Sequence, residues 1–232
     1  MYRWIIVVLC CIHASTASAQ VDNVMLWSGV EVKKPLTKRW DVIVDAMLRT
    51  QTLHPVVNNM LTQATTKYDV ASGVRLIATF RVYGRQRKEG YYLPDFRWNI
   101  DAQLKRKIGK RGWLKYRPRI QKYIDRQRLN ENLKPRFPQW YFRQKLSFGY
   151  NLRKSNQSPY IAVETFHPIN LPEDNGINQF RVYLGSKLKT TKESEIDFFL
   201  MDKYKFNVVK SGHTIVLGIV YSYDWKKKKK SP

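Results

Sequence analysis

Residues 74–84 read VRLIATFRVYG, and their alternation constrains the fold more than any other feature of the chain. Val74, Leu76, Ala78, Phe80 and Val82 alternate with Arg75, Thr79, Arg81 and Tyr83, and Ile77 is the one exception. A period of two marks a strand with one apolar and one polar face. The arginines then point either into bulk water or into the lumen of a barrel whose apolar face meets lipid.

The same pattern recurs along the chain. Phe96, Trp98, Ile100, Ala102 and Leu104 alternate with Arg97, Asn99, Asp101, Gln103 and Lys105. Leu114, Tyr116, Pro118 and Ile120 face away from Lys115, Arg117, Arg119 and Gln121, and Phe142, Leu146, Phe148 and Tyr150 from Arg143, Lys145, Ser147 and Gly149. Phe180, Val182, Leu184 and Leu188 oppose Arg181, Tyr183, Gly185 and Lys187. Strands are expected at 24–33, 40–50, 59–69, 73–84, 94–107, 112–124, 139–152, 159–167, 178–189, 195–206 and 213–225. The Thr- and Gln-rich segment 59–69 carries the weakest contrast. Most segments fit the ~9–11 residues of a tilted membrane-spanning strand.

The connections alternate short and long, as in barrels with short turns at one end and longer loops at the other. The expected fold is all-β: an antiparallel up-and-down transmembrane β-barrel of about 10–12 strands. Bacterial single-chain barrels normally hold an even number of strands. The eleven segments therefore predict ten or twelve, with one segment missed or outside the wall. Pro118 removes a ladder donor and predicts a bulge or break.

The chain opens on Met1-Tyr2-Arg3, an apolar run from Trp4 to Ile12, and small residues ending in Ala17-Ser18-Ala19. This is the pattern of a cleavable export signal over 1–19. A barrel domain over 20–225 and a lysine-rich tail over 226–232 are expected after it. Both cysteines, Cys10 and Cys11, lie in that leader, so the domain is expected to hold together without a disulfide. The formal charge is +24. From Arg81 to Lys154 there are 22 Lys and Arg against five acids, a local net of +17. With an export signal, this excess points away from nucleic acid and towards lipid headgroups, lipopolysaccharide phosphates or small anions.

The orientation of the strands decides between two classes. A soluble lipocalin-like barrel carries the same period two turned inside out, apolar faces inward around a lipid or other apolar ligand. Three features favour the membrane form: the loop alternation, the small residues interleaved with long cations, and the aromatics near strand ends. Trp40, Trp98, Trp140, Tyr150, Tyr204, Phe206, Tyr221, Tyr223 and Trp225 are expected to form girdles at the two membrane–water boundaries. Arg75, Arg81, Arg97, Lys105, Lys115, Arg117, Arg119, Arg143, Lys145, Arg181 and Lys187 are then expected to line the lumen. Asp41, Asp45, Asp101, Asp197 and Glu164 share their phase. Such an array serves either as a salt-bridged filling or, because rings of Arg and Lys select anions, as a small anion-favouring pore. Asp202 falls on the lipid-facing side, where a midplane charge costs a few kcal/mol.

The stretches LWSGVEVKKPLTKRWDVIVDAMLRT, LKYRPRIQKY, PYIAVETFHPI and HTIVLGIVYSYDW resemble an uncharacterised family, the domain of unknown function 2490 of Bacteroidetes-type bacteria. The resemblance runs from about Val24 to Trp225. It implies an exported, outer-membrane barrel-like protein with no assigned activity, so it transfers no functional residues. One departure is the KKKKKSP that follows Trp225, where such barrels commonly finish on a terminal aromatic.

No nucleophile, base and orienting group share a local motif around His54, His167 or His213, so no enzyme is expected. Metal-ligand spacing and glycine-rich phosphate loops are absent from the sequence, and no cofactor is expected. The sequence supports an integral outer-membrane barrel acting as a small pore, a structural element or a part of an envelope complex. The alternative is the soluble exported barrel with an apolar ligand inside.

Overall fold

The computed structural model describes residues 21, 23–51, 57–86, 92–124, 140–169, 176–207 and 211–225. The expected leader, His54 and the lysine tail lie outside them. Eleven strands follow one another: β1 (Asn23–Pro35), β2 (Trp40–Gln51), β3 (Val57–Ala71), β4 (Val74–Gln86), β5 (Tyr92–Ile108), β6 (Gly112–Ile124), β7 (Trp140–Tyr150), β8 (Gln157–Pro168), β9 (Gln179–Lys189), β10 (Ser194–Lys205) and β11 (Gly212–Asp224). Every segment expected from the alternation is a strand, including the weak one at β3.

The strands close into one barrel, each paired with its sequence neighbours and β1 paired with β11. The expected even count and wholly antiparallel wall are corrected here. With eleven up-and-down strands the first and last run in the same direction, so closure requires a parallel seam. That seam runs without a shift from Asn23↔Thr214 to Lys33↔Asp224. Parallel pairing is slightly weaker per residue, and the seam holds as many residue pairs as the antiparallel pairing of β1 with β2.

Connections 36–39, 72–73, 109–111, 151–156 and 190–193 lie at one end, hereafter the short-turn end. The opposite strand ends, at Gln51, Val57, Gln86, Tyr92, Ile124, Trp140, Pro168, Gln179, Lys205 and Gly212, form the other end, hereafter the long-loop end. Segregation by length is looser than the sequence suggested, since 151–156 is longer than 52–56. Ser72-Gly73 makes the tightest turn. Gly73 sits at φ +78°, and a Cβ there would run into the carbonyl oxygen of Lys105. At Pro118 the ladder to β5 lapses between Asp101↔Arg119 and Leu104↔Tyr116, while Pro118 still faces Gln144 on β7. The proline interrupts pairing on one side without shifting the register.

The apolar faces point outward. Val44, Ile100 and Leu184 are each more than half exposed. The polar faces point inward: Gln121, Asn99, Asp101 and Glu164 are 2% exposed or less. An ordinary soluble barrel has the opposite distribution. The interior also has an apolar part, made by Met25, Trp27, Ala162, Tyr183, Met201 and Val216, with Met47, Tyr160 and Phe199 packed against it.

Candidate functional site

The candidate site is the barrel interior, and it is built from the inward half of each alternating strand. Glu164 of β8 is its most connected acid. Its carboxylate accepts from Arg143 Nη2 at 2.7 Å and from the Tyr183 hydroxyl at 3.0 Å, with Arg181 Nη1 at 3.8 Å. Arg143 also donates to Gln121 Oε1 at 2.6 Å. The Arg143 and Arg181 guanidinium groups lie 4.1 and 4.4 Å from the ring centre of Phe166, which gives both planar cations an aromatic neighbour.

Asp101 of β5 is a second centre. Arg119 grips it through Nε at 2.7 Å and Nη2 at 2.6 Å, the two-pronged geometry that makes Arg–carboxylate pairs strong. Arg117 stands 3.8 Å away and Asn99 donates to the same carboxylate at 3.2 Å. Gln63 links Arg81 at 2.6 Å to Asp45 at 2.5 Å. Arg97 donates to the Tyr123 hydroxyl at 3.2 Å. Lys187 pairs with Glu195 at 2.6 Å, and Tyr160 donates to Asp197 at 2.9 Å. Nearer the short-turn end, Arg75 holds Asp69 through two bonds and Lys33 bridges Asp41 and Asp224.

Of the eleven cations expected in the lumen, Arg75, Arg117, Arg119, Arg143, Arg181 and Lys187 pair with carboxylates. Arg81, Arg97, Lys105, Lys115 and Lys145 differ, and Lys105 is exposed. Among the described residues none of them has a carboxylate within ion-pairing distance. Lys105 and Lys115 each lie 5.4 Å from the Trp113 ring centre, and Lys145 lies 3.5 Å from that of Tyr183. The five acids expected in the same phase also face inward.

Sequence reasoning missed Lys67, Arg49 and Glu31, which are inward too. Arg49 stacks 3.8 Å above the Trp27 ring. Lys67 was hidden because the outward side of β3 carries Thr62, Ala64 and Thr66, too polar to set a clear phase. The small residues expected on the inward faces include three glycines with facing rings. Gly149, Gly185 and Gly218 lie directly across from Trp113, Tyr160 and Phe199. A Cβ at any of the three would collide with the facing ring. Glycine here is the partner that lets a large ring lie flat inside a narrow barrel.

The filling is uneven along the axis. Towards the long-loop end, Leu61, Tyr83, Arg97, Arg143, Phe166 and Met201 are all nearly solvent-free. In the other half a cavity of about 380 Å³ remains, lined by Glu31, Asp45, Lys67, Lys115, Arg117, Lys145 and Asp197 among others. Side-chain exposure rises towards the short-turn end, from 6% at Arg143 through 26% at Arg117 to 37% at Lys187. The cavity, hereafter the chamber, lies on the short-turn side of this buried layer.

The expected girdle residues face outward at two levels. Trp40, Tyr150, Tyr221, Tyr223 and Trp225 sit near the short-turn end, and Trp98, Trp140, Tyr204 and Phe206 towards the long-loop end. Trp98 and Trp140 meet edge-to-face at 5.2 Å, and Tyr204 stacks on Phe206 at 5.7 Å. Asp202 is on the outward side, as its phase required. It lies near the strand end, with His213 Nε2 at 2.6 Å from its carboxylate. His167 lies 3.2 Å from Thr165 Oγ1, and no cluster of three metal-ligating side chains exists among the described residues.

Compared with known families, the chain matches the one described as "Protein of unknown function (DUF2490)" over residues 24–213. No curated protein matches it.

Proposed function

We propose that this chain, which belongs to the DUF2490 family, is an integral outer-membrane β-barrel with an ionic core and no through-channel. The observation that carries this reading is the outward apolar belt bounded by two levels of aromatic rings. Leaving one Val, Leu, Ile or Phe side chain in water forgoes roughly 1.5–3 kcal/mol. Monomeric soluble proteins rarely expose a contiguous apolar patch above a few hundred Å². A belt around a whole barrel goes beyond this, and acyl chains are the solvent that suits it. Tyr and Trp at its two edges suit the headgroup level, where one end of the ring is wet. Lipid headgroups, including lipopolysaccharide phosphates, are the neighbours such a belt and its basic ends would meet.

The dry stratum at Arg97, Arg143, Phe166 and Met201 favours an envelope structural or binding component over an anion-conducting pore. A soluble carrier of an apolar ligand needs an apolar cavity, and the chamber here is lined mostly by charged and polar groups.

Washing membranes of expressing cells with carbonate and urea tests the assignment. The protein is expected to stay in the pellet and to migrate on gels in a heat-modifiable way. Release into the wash as a soluble folded protein would overturn it.

A further inference from the structure

We infer that the chamber at the short-turn end is a binding site for a small soluble polyanion of the phosphate-ester class. The inference concerns the chamber alone and holds whichever solvent surrounds the wall.

The charge of the lining is the first argument. Seven cations face the chamber (Lys67, Arg81, Lys115, Arg117, Arg119, Lys145 and Lys187) against the acids Glu31, Asp45 and Asp197. Asp101 takes up Arg117 and Arg119, and Glu195 takes up Lys187, which leaves Lys67, Arg81, Lys115 and Lys145. The excess is also unevenly placed. Asp45 and Asp197 are already bonded, to Gln63 and to Tyr160, and all three acids lie on β1, β2 and β10. Lys115 and Lys145 lie on the adjacent strands β6 and β7, and Lys67 lies on β3. None of these three lysines has a carboxylate within 4.0 Å among the described residues. Buried cations left without a counter-charge are costly, and a bound anion would relieve that cost. Lysine, a compact charge with three rotatable donors, is a common phosphate ligand.

A second, independent observation lies between those lysines. Ser147 is 3% exposed, lines the chamber, and has no hydrogen-bond partner for its hydroxyl. A buried hydroxyl normally finds one, and a phosphate oxygen would supply it. Across the chamber, Glu31 and Asp45 suit the hydroxyls of a phosphorylated polyol.

Access and size complete the case. The chamber opens where the turns carry Lys38-Arg39, Lys110-Arg111 and Arg153-Lys154, a basic mouth that draws anions inward. Its volume of about 380 Å³ falls at the small end of ligand pockets. The wall around it is closed and keeps its register even where pairing lapses beside Pro118, so a lipid cannot slide in sideways, and the source is a free solute.

The test is calorimetric titration of fructose 1,6-bisphosphate, a small polyol phosphate ester, into the full chain in dodecylmaltoside at low salt. Saturable binding to one site is expected. The double variant Lys115→Met/Lys145→Met should bind at least tenfold more weakly, whereas Lys122→Met, on the outer face, should bind as the parent does. Heat-modifiable migration checks folding. If the double variant fails it, Lys115→Met alone should still weaken binding at least threefold. Phosphatidic acid added to the micelles should leave the isotherm unchanged. Absence of saturable binding, equal affinity in a folded lysine variant, or competition by phosphatidic acid would each overturn the inference.

Discussion

Glu164 shows how a charged residue can act as core. Arg143, Arg181 and the Tyr183 hydroxyl converge on one carboxylate that is almost wholly buried. Removing a partner from a buried ionic cluster typically costs about 3–5 kcal/mol, because the remaining charges stay buried. Glu164→Gln should therefore lower the urea midpoint of unfolding by that equivalent. Glu195→Gln, at a partly exposed pair near the mouth, should change stability by no more than about 1 kcal/mol. Urea titrations of the two variants side by side check the contrast, and equal effects would contradict it. Gly218 makes a related point through space. Phe199 occupies the volume a side chain would need, so Gly218→Leu should destabilise by about 1–3 kcal/mol in the same titration.

At the scale of the strand, much of the fold can be read from the chain. Alternation located all eleven strands, because a wall with one apolar and one polar face repeats the same chemistry every second residue. Inward positions followed from phase wherever the two faces contrasted, as for Arg97, Asp101 and Arg143. Phase failed where both faces were polar, which is why Lys67 went unnoticed on β3. A barrel was legible, but the parallel seam that closes it was not. An even-number rule drawn from other barrels outweighed a correct count, since nothing local in β1 or β11 says that they meet. The Glu164 hub depends on the register between the consecutive strands β7, β8 and β9, which alternation alone does not set. The seam itself makes a prediction. Leu26→Cys with Leu217→Cys places thiols on directly paired residues of β1 and β11. The two native cysteines, Cys10 and Cys11, precede β1 in the sequence. Mild oxidation should link the engineered pair within one chain, and Leu26→Cys with Tyr223→Cys should not link. Mass spectrometry of peptides cut between the strands distinguishes the two outcomes.

For the whole molecule, the unusual charge and the apolar belt have one explanation. Cations fill the interior and line its mouth, while grease faces outward. Reconstituted into planar bilayers, the protein should give no steady conductance, because the dry stratum crosses the lumen. Discrete anion-selective openings would contradict the closed interior. The account rests most heavily on which face of the wall meets acyl chains. Single cysteines placed from Leu76 to Val82, spin-labelled in lipid vesicles, test this by their exposure to oxygen and to a water-soluble nickel chelate. The account predicts that Leu76, Ala78, Phe80 and Val82 favour oxygen and that Ile77, Thr79 and Arg81 do not. An inverted pattern, or chelate access along the whole apolar face, would contradict it.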